Sequence, residues 1–163
     1  MELGIALDGT GRLGSPAAMT AVATAADRLG YGSVWCIGPW APTLLGALAV
    51  ASSRVRIGIE ARGDGARRVV GWVGGDRLTV VDRLPLWSPP SPDAPLRHLP
   101  AGPVRLDAST ANLASAIDEL DNARRSGASE VVVLLVDDPG VDEALAAYAE
   151  LGELVEGTSA GCA

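Results

Sequence analysis

The chain has 163 residues, of which 48% are hydrophobic, and it carries a formal net charge of −7. That size and hydrophobicity are typical of one globular domain and exclude a disordered chain, and the acidic balance argues against a nucleic-acid partner. The only cysteines, Cys36 and Cys162, suffice for neither a disulfide framework nor a metal-ligand cluster, so we predict no zinc site.

The amino terminus shows no basic segment followed by an apolar one, so no secretory signal is predicted. The longest nearly apolar stretch, residues 41–51, is about half of the roughly 20 residues that a membrane span needs. We therefore expect no membrane partner and a cytoplasmic location.

The first 60 residues predict alternating strands and helices. Ser15 followed by Pro16 is typical of a helix start, and Gly30 lies where a helix end favours glycine. Apolar runs flank these signals. The predicted elements are a strand at 3–7, a helix at 16–29, a strand at 33–36, a helix at 42–51 and a strand at 55–59.

The last 60 residues repeat this pattern. Residues 131–136 are six consecutive aliphatics, as in a parallel strand that is buried on both faces. A strand at 104–106 and a helix capped by Ser109 precede them, and Asp138 with Pro139 predicts the start of a last helix. Strands that alternate with helices indicate an α/β fold with a mainly parallel sheet and helices outside it.

The middle of the chain differs in charge and in proline content. Residues 54–105 hold nine arginines against five acids, so they form a basic island in an acidic protein. Residues 83–103, called the connector below, contain seven of the eleven prolines and the only histidine, His98. We predict that it is an extended bridge; the alternative is that Trp87 and His98 form a lid. The single domain 1–163 then consists of residues 1–82, the connector 83–103, residues 104–156 and a flexible tail, 157–163.

Several segments carry a family resemblance. The opening LGIALDGTGRLGSPAAMTAVATAADRLGYGSVWC and the following PTLLGALAVASSRVRIGI are similar to the start of the luciferase-like monooxygenases, a family of flavin- and deazaflavin-dependent oxidoreductases. The segment STANLASAIDELDNARRSGASEVVVLL resembles the closing helix and last strand of that family, and GARRVVGWVGGDRLTVV resembles a shortened third helix and fourth strand.

The resemblance implies a (β/α)₈ barrel, but such a barrel typically needs about 250 residues. We therefore expect an incomplete, TIM-barrel-like sheet in which the final two strands lie beside strands one to four. Its open edges would be near Val80 and near Leu106. Because exposed strand edges are prone to association, we expect a homodimer to cover them, with the connector as the alternative.

Acidic residues follow most of the predicted strands, at the ends where such barrels carry their chemistry. They are Asp8, Glu60, Asp82, Asp107, Asp137 and Asp138. Period-two alternation predicts that Asp8 faces inward with Gly4 and Ala6, and that Arg56 faces inward with Glu60. The candidate catalytic residues are Asp8, Glu60 and His98. The carboxylates could supply a general base or bind a divalent cation, or they could only cap the next loop.

A phosphate of the cofactor could be held by arginine charges and backbone amides. The candidates are Arg62, Arg67, Arg68, Gly74 and Gly75, with Trp40 at the mouth of the pocket. The chain departs from the family after strand two, where Cys36-Ile37-Gly38-Pro39-Trp40 replaces a polar Asp-His pair. Cys36 is expected in the core.

Two functions follow from the resemblance and its gaps. The first is a shortened oxidoreductase, monooxygenase-like, that acts on a small molecule with a flavin (FMN) or deazaflavin and completes its site in a dimer. The second is a descendant without the redox cofactor. It would serve as a binding or accessory protein, or as a non-redox acid/base enzyme that uses the strand-end carboxylates.

Overall fold

The computed structural model describes residues 1–38, 42–60, 77–88 and 102–159. In these ranges the strands are β1 (Glu2–Asp8), β2 (Ser33–Ile37), β3 (Arg56–Glu60), β4 (Leu78–Val81), β5 (Pro103–Ala108) and β6 (Glu130–Leu135). The helices are α1 (Pro16–Leu29), α2 (Pro42–Ala51), α3 (Leu113–Arg125) and α4 (Val141–Ser159). Short 3₁₀ turns at Arg12–Gly14 and Thr110–Asn112 precede α1 and α3.

All six strands form one parallel sheet in the order β4-β3-β2-β1-β6-β5. The resemblance to a barrel family implies this order, because the last two strands of a closed barrel lie beside the first and strands two to four lie on the other side. The predicted mainly parallel α/β class is therefore confirmed. Because all strands are parallel, their carboxyl ends lie at one edge of the sheet.

Local signals explain where most helices begin and end. The Ser15 hydroxyl accepts a hydrogen bond from the Ala18 N–H, and Gly30 closes α1 in the left-handed conformation at φ 79°. The predicted start of the last helix at Asp138 is wrong, because α4 begins at Val141. Asp138 has φ 49° and accepts the Arg12 N–H, so it anchors the turn after β1 and does not cap α4.

The two faces of the sheet have different partners. Buried Ile5, Leu7 and Val133 belong to the large core that the sheet forms with the helices, as the predicted alternation requires. The opposite face, called the inner face below, has its own apolar cluster. That cluster contains Ala6, Trp35, Ile37, Leu84, Val132 and Leu134. The Trp35 ring lies over Gly58, where a Cβ atom would overlap it.

A polar network occupies the amino-terminal part of the inner face. Glu130 is 5% exposed and accepts hydrogen bonds from the Ser33 hydroxyl and, at 3.1 Å, from the Trp35 Nε1–H. Arg56 binds Glu130 at 2.9 Å and also pairs with Glu2. The inward orientation predicted for Arg56 is thus confirmed, and its guanidinium connects β1, β3 and β6.

Residues 82–88, called the strap below, lead from β4 to the opposite edge of the sheet. Leu86 forms a parallel bridge with Arg105 of β5, and the Trp87 N–H donates to the Arg105 carbonyl at 2.6 Å. The strap therefore occupies part of the β5 edge, on which we expected a second copy of the chain. The start of the connector therefore lies along this edge, in the direction of the alternative, and the homodimer stays a prediction.

The strap also requires the sheet to curve. Leu86 lies only five positions after Val81 along the chain, and five residue steps span at most about 18 Å. In a flat sheet, six strand spacings of roughly 4.8 Å would separate β4 from the strap by about 29 Å. Because Leu84 lies in the inner cluster, the sheet curves toward its inner face.

Trp87 is not a lid. It is 6% exposed, belongs to the core on the helical side of the sheet, and donates its Nε1–H to Glu119 of α3 at 2.8 Å. Leu84 and Trp87 thus lie on opposite faces of the sheet and hold the strap across the β5 edge. His98, the other residue of the proposed lid, lies outside the described residues.

Candidate functional site

Asp8 ends β1 at the carboxyl-terminal edge of the sheet, where the sequence predicts it. Its Oδ1 accepts the Thr10 N–H at 2.8 Å and the Thr10 hydroxyl at 2.7 Å. Gly38, at φ 73°, lies so close that a Cβ there would be 3.2 Å from the same oxygen. Asp8 is exposed, and its hydrogen bonds order the loop that follows it. This is the loop-capping role that was the alternative to catalysis.

Glu60 ends β3 on the same edge. Its Oε1 accepts the Leu84 N–H at 2.7 Å, so this carboxylate holds the strap where it enters the inner face. Asp8 and Glu60 are two strand spacings apart in the sheet, or about 10 Å. Both candidate catalytic carboxylates therefore bind backbone groups of the protein itself.

The two acids after β6 are also engaged. Asp137 accepts hydrogen bonds from the Thr110 N–H at 2.8 Å and from the Ser109 hydroxyl at 2.9 Å. Desolvation raises the pKa of Asp137, but the hydrogen bonds from Thr110 and Ser109 outweigh it and lower that pKa overall. Asp137 is therefore held as a carboxylate that ties the turn before α3 to the end of β6.

The other two acids at strand ends, Asp107 and Asp82, have separate surroundings. Asp107 forms an ion pair with Arg105, with 2.8 Å between its Oδ1 and the arginine Nε. Asp82 is exposed at the start of the strap. Among the described residues, no group of three or more His, Cys, Asp or Glu side chains is arranged to hold a metal ion. Of the chemistries that we left open, a divalent-cation site has no support in this part of the chain.

A small cavity of about 10 Å³ lies between the carboxyl ends of β1 and β6. Its lining includes Asp8, Gly11, Leu134 and Asp138. This volume is about the least that holds one water molecule, whereas ligand pockets usually measure roughly 300–1,000 Å³. On the inner face next to this edge, the side chains of Ala6, Ile37 and Leu134 are buried.

All six predicted cofactor-binding residues fall in the ranges between the described segments. Trp40, Arg62, Arg67, Arg68, Gly74 and Gly75 lie outside the described residues, as does the candidate catalytic His98. Cys36 is fully buried, as expected, and burial raises the pKa of its thiol to about 12. A thiolate nucleophile at Cys36 is therefore disfavoured at neutral pH.

Two features of the inner face were missed at the sequence level. Glu130 precedes an aliphatic run and resembles an ordinary exposed residue at a strand start, and Leu84 is an ordinary leucine in a proline-rich segment. The period-two alternation along β6 could have indicated the position of Glu130, because residues 130, 132 and 134 of a strand face the same side of the sheet. Nothing in the sequence indicates that Leu84 enters the inner cluster.

Searches against protein-family models, curated proteins and solved structures each found no match. Among the described residues, no helix combines the length and apolarity needed to cross a membrane.

Proposed function

We propose that this chain is a binding or accessory protein that descends from a luciferase-like barrel and functions without the redox cofactor. The observation that carries the proposal is the burial of Trp35, Ile37 and Leu84 together on the inner face. Each of these side chains is at most 4% exposed. The strands then serve as a scaffold, and recognition takes place on the outer surface.

The sheet geometry supports the barrel ancestry. Six parallel strands and the strap follow one another without reversal, and the short link from β4 to the strap requires strong curvature. Barrels of this kind have interiors packed with side chains and carry ligands only at the carboxyl-terminal edge. In this chain the strap approaches that edge and inserts Leu84 below it.

The hydrogen bonds that Asp8 and Glu60 accept within the protein favour a binding or accessory protein over an acid/base enzyme. A general base needs a carboxylate that can reach a substrate proton. Asp8 is hydrogen-bonded to Thr10, and Glu60 is hydrogen-bonded to the strap backbone. Their contacts are those of loop-ordering residues, so a non-redox enzyme is the weaker form of the proposal.

Cofactor titration tests the proposal. The purified protein is titrated with FMN and, separately, with a deazaflavin cofactor, and binding is followed by calorimetry and by quenching of cofactor fluorescence. A flavoprotein in the same buffer is the positive control. We expect no saturable binding up to about 100 µM of either cofactor, a limit that corresponds to about −5.5 kcal/mol.

One result would overturn the proposal in favour of the shortened oxidoreductase. That result is micromolar binding of either cofactor that is lost in the double variant Arg67→Ala plus Arg68→Ala. The double variant Arg124→Ala plus Arg125→Ala removes the same charge from the end of α3 and serves as the matched control.

A further inference from the structure

The outer side of β4, called the β4 edge below, presents a row of backbone hydrogen-bonding groups. The Ile57 N–H of β3 donates to the Arg77 carbonyl at 2.7 Å, and β3 and β4 are parallel. Because alternate residues of a strand direct their backbone groups to opposite sides, Thr79 also directs its N–H and C=O toward β3. The N–H and C=O groups of Leu78 and Val80 therefore point away from the sheet. Among the residues that the structure describes, no strand pairs with the β4 edge.

The sequence of β4 lacks the residues that usually protect a strand edge. Natural edge strands carry charged residues or proline, or are covered by another part of the chain. β4 reads Leu-Thr-Val-Val, with neither charge nor proline, and all of its residues are half-buried. The strap, by contrast, occupies part of the β5 edge through two backbone hydrogen bonds with Arg105. The β4 edge therefore favours pairing with a further strand.

We propose that β4 pairs with β4 of a second copy of the chain, antiparallel and about a two-fold axis that passes beside Thr79. In this register Leu78 of each copy lies opposite Val80 of the other. Each such pair exchanges both of its backbone hydrogen bonds. The outward groups of Leu78 and Val80 are then all satisfied by the same groups of the other copy, as a self-complementary two-fold interface requires.

The side chains of β4 also match in this register. A two-fold axis normal to the sheet places the helical side of one copy beside the helical side of the other. Leu78 and Val80 pack against the core on that side, so their pairing extends the apolar core across the interface. Thr79 is in register with Gly58 on the inner side and meets Thr79 of the other copy, a favourable cross-strand pair. The next antiparallel register that keeps the faces matched would instead place Asp82 opposite Leu78.

The interface is small. Two paired strands of four residues, each about 13 Å long, bury much less than the ~800 Å² per partner of a standard interface. We therefore expect a weak, reversible dimer with a Kd of about 10–200 µM. The inference does not depend on whether the protein binds a flavin, because β4 contains none of the candidate cofactor-binding or catalytic residues.

Sedimentation equilibrium from about 1 to 500 µM tests the inference, and we expect a monomer–dimer equilibrium for the natural chain. Thr79→Glu and Thr79→Lys each bring like charges together at the axis and should raise Kd about tenfold or more. An equimolar mixture of the two variants places Glu opposite Lys and should bring Kd back to within about threefold of the natural value. Leu86→Glu introduces a charge on the exposed strap and should leave Kd within about twofold. Circular dichroism verifies that each variant is folded.

Cysteine crosslinking tests the register. In a non-hydrogen-bonded antiparallel pair the two Cα atoms are about 4.5 Å apart, a distance that a disulfide can bridge. Thr79→Cys should therefore form an intermolecular disulfide under mild oxidation at about 200 µM protein. Val81→Cys is the matched control, because position 81 of one copy would lie about 14 Å from position 81 of the other. Both variants also carry Cys162→Ser and retain the buried Cys36.

Four outcomes would overturn the inference. One is a chain that stays monomeric up to about 500 µM, and another is a dimer that Leu86→Glu weakens as much as Thr79→Glu does. The third is a mixture of Thr79→Glu and Thr79→Lys that associates no better than either variant alone. The fourth is crosslinking that is no faster for Thr79→Cys than for Val81→Cys.

Discussion

Asp27 shows how much of the local structure depends on single side chains. It lies near the end of α1, and its carboxylate accepts the N–H groups of Ser53, Arg54 and Val55 at 2.7, 3.1 and 3.0 Å. Desolvation raises the pKa of Asp27, but these hydrogen bonds outweigh it and lower the pKa to about 2. One carboxylate thus holds the loop that leads into β3.

Asp27→Asn should destabilise the protein at neutral pH by about 1 kcal/mol, because one of the two accepting oxygens becomes a donor that faces N–H groups. The folded-state pKa lies below the ordinary 3.8, so this stability is fully present above about pH 5. It is lost as the pH falls through 4 toward 2. Denaturant unfolding at pH 7 and pH 2.5 measures the difference between the natural protein and the variant.

The control for this prediction is Asp118→Asn, which changes an exposed carboxylate on α3. It should alter stability by less than about 0.5 kcal/mol at either pH. A penalty for Asp27→Asn that is equally large at pH 2.5 and at pH 7 would contradict the assigned role of the carboxylate.

Among the elements, the strap has the most unusual position. It is anchored by a backbone hydrogen bond to Glu60, by Leu84 on the inner face and by Trp87 on the helical face. Two leucines two residues apart in this segment have opposite environments. Leu84 is 1% exposed, whereas Leu86 is 52% exposed.

Leu84→Ala should therefore cost about 2–4 kcal/mol, since it removes a buried side chain and leaves a cavity on the inner face. Leu86→Ala removes the same atoms from an exposed position and should cost less than about 1 kcal/mol. Unfolding of both variants in urea gives the comparison. Equal costs would show that the strap does not enter the inner face.

At the scale of the whole molecule, the strands in the centre of the sheet have more neighbouring strands than those at its edges. The central strands β1 and β6 have neighbours on both sides, whereas β4 is a short, half-buried edge strand. The strap is joined to β5 by a single bridge. Local opening should therefore cost less at the edges than in the centre.

Native-state hydrogen exchange should reveal this gradient. We expect the amides of β1 and β6 to exchange only through global unfolding, and those of β4 and of the strap to exchange faster through local opening. Mass spectrometry of peptic fragments measures the rates. Protection in β4 as strong as in β1 would contradict the assignment of β4 as a weakly supported edge.

The sequence by itself determined the order and type of the elements and which way the residues of β1 and β3 face. These properties depend on local signals, such as Ser15 with Pro16, Gly30, the aliphatic run of β6 and the period of two along β1. Three arrangements were decided only by the tertiary structure: the path of the strap, the engagement of Glu60 by Leu84, and the network of Glu130, Arg56 and Trp35. Each depends on contacts between groups that are at least eighteen residues apart. Such contacts depend on the curvature of the sheet, which is a property of all the strands together and not of any local pattern.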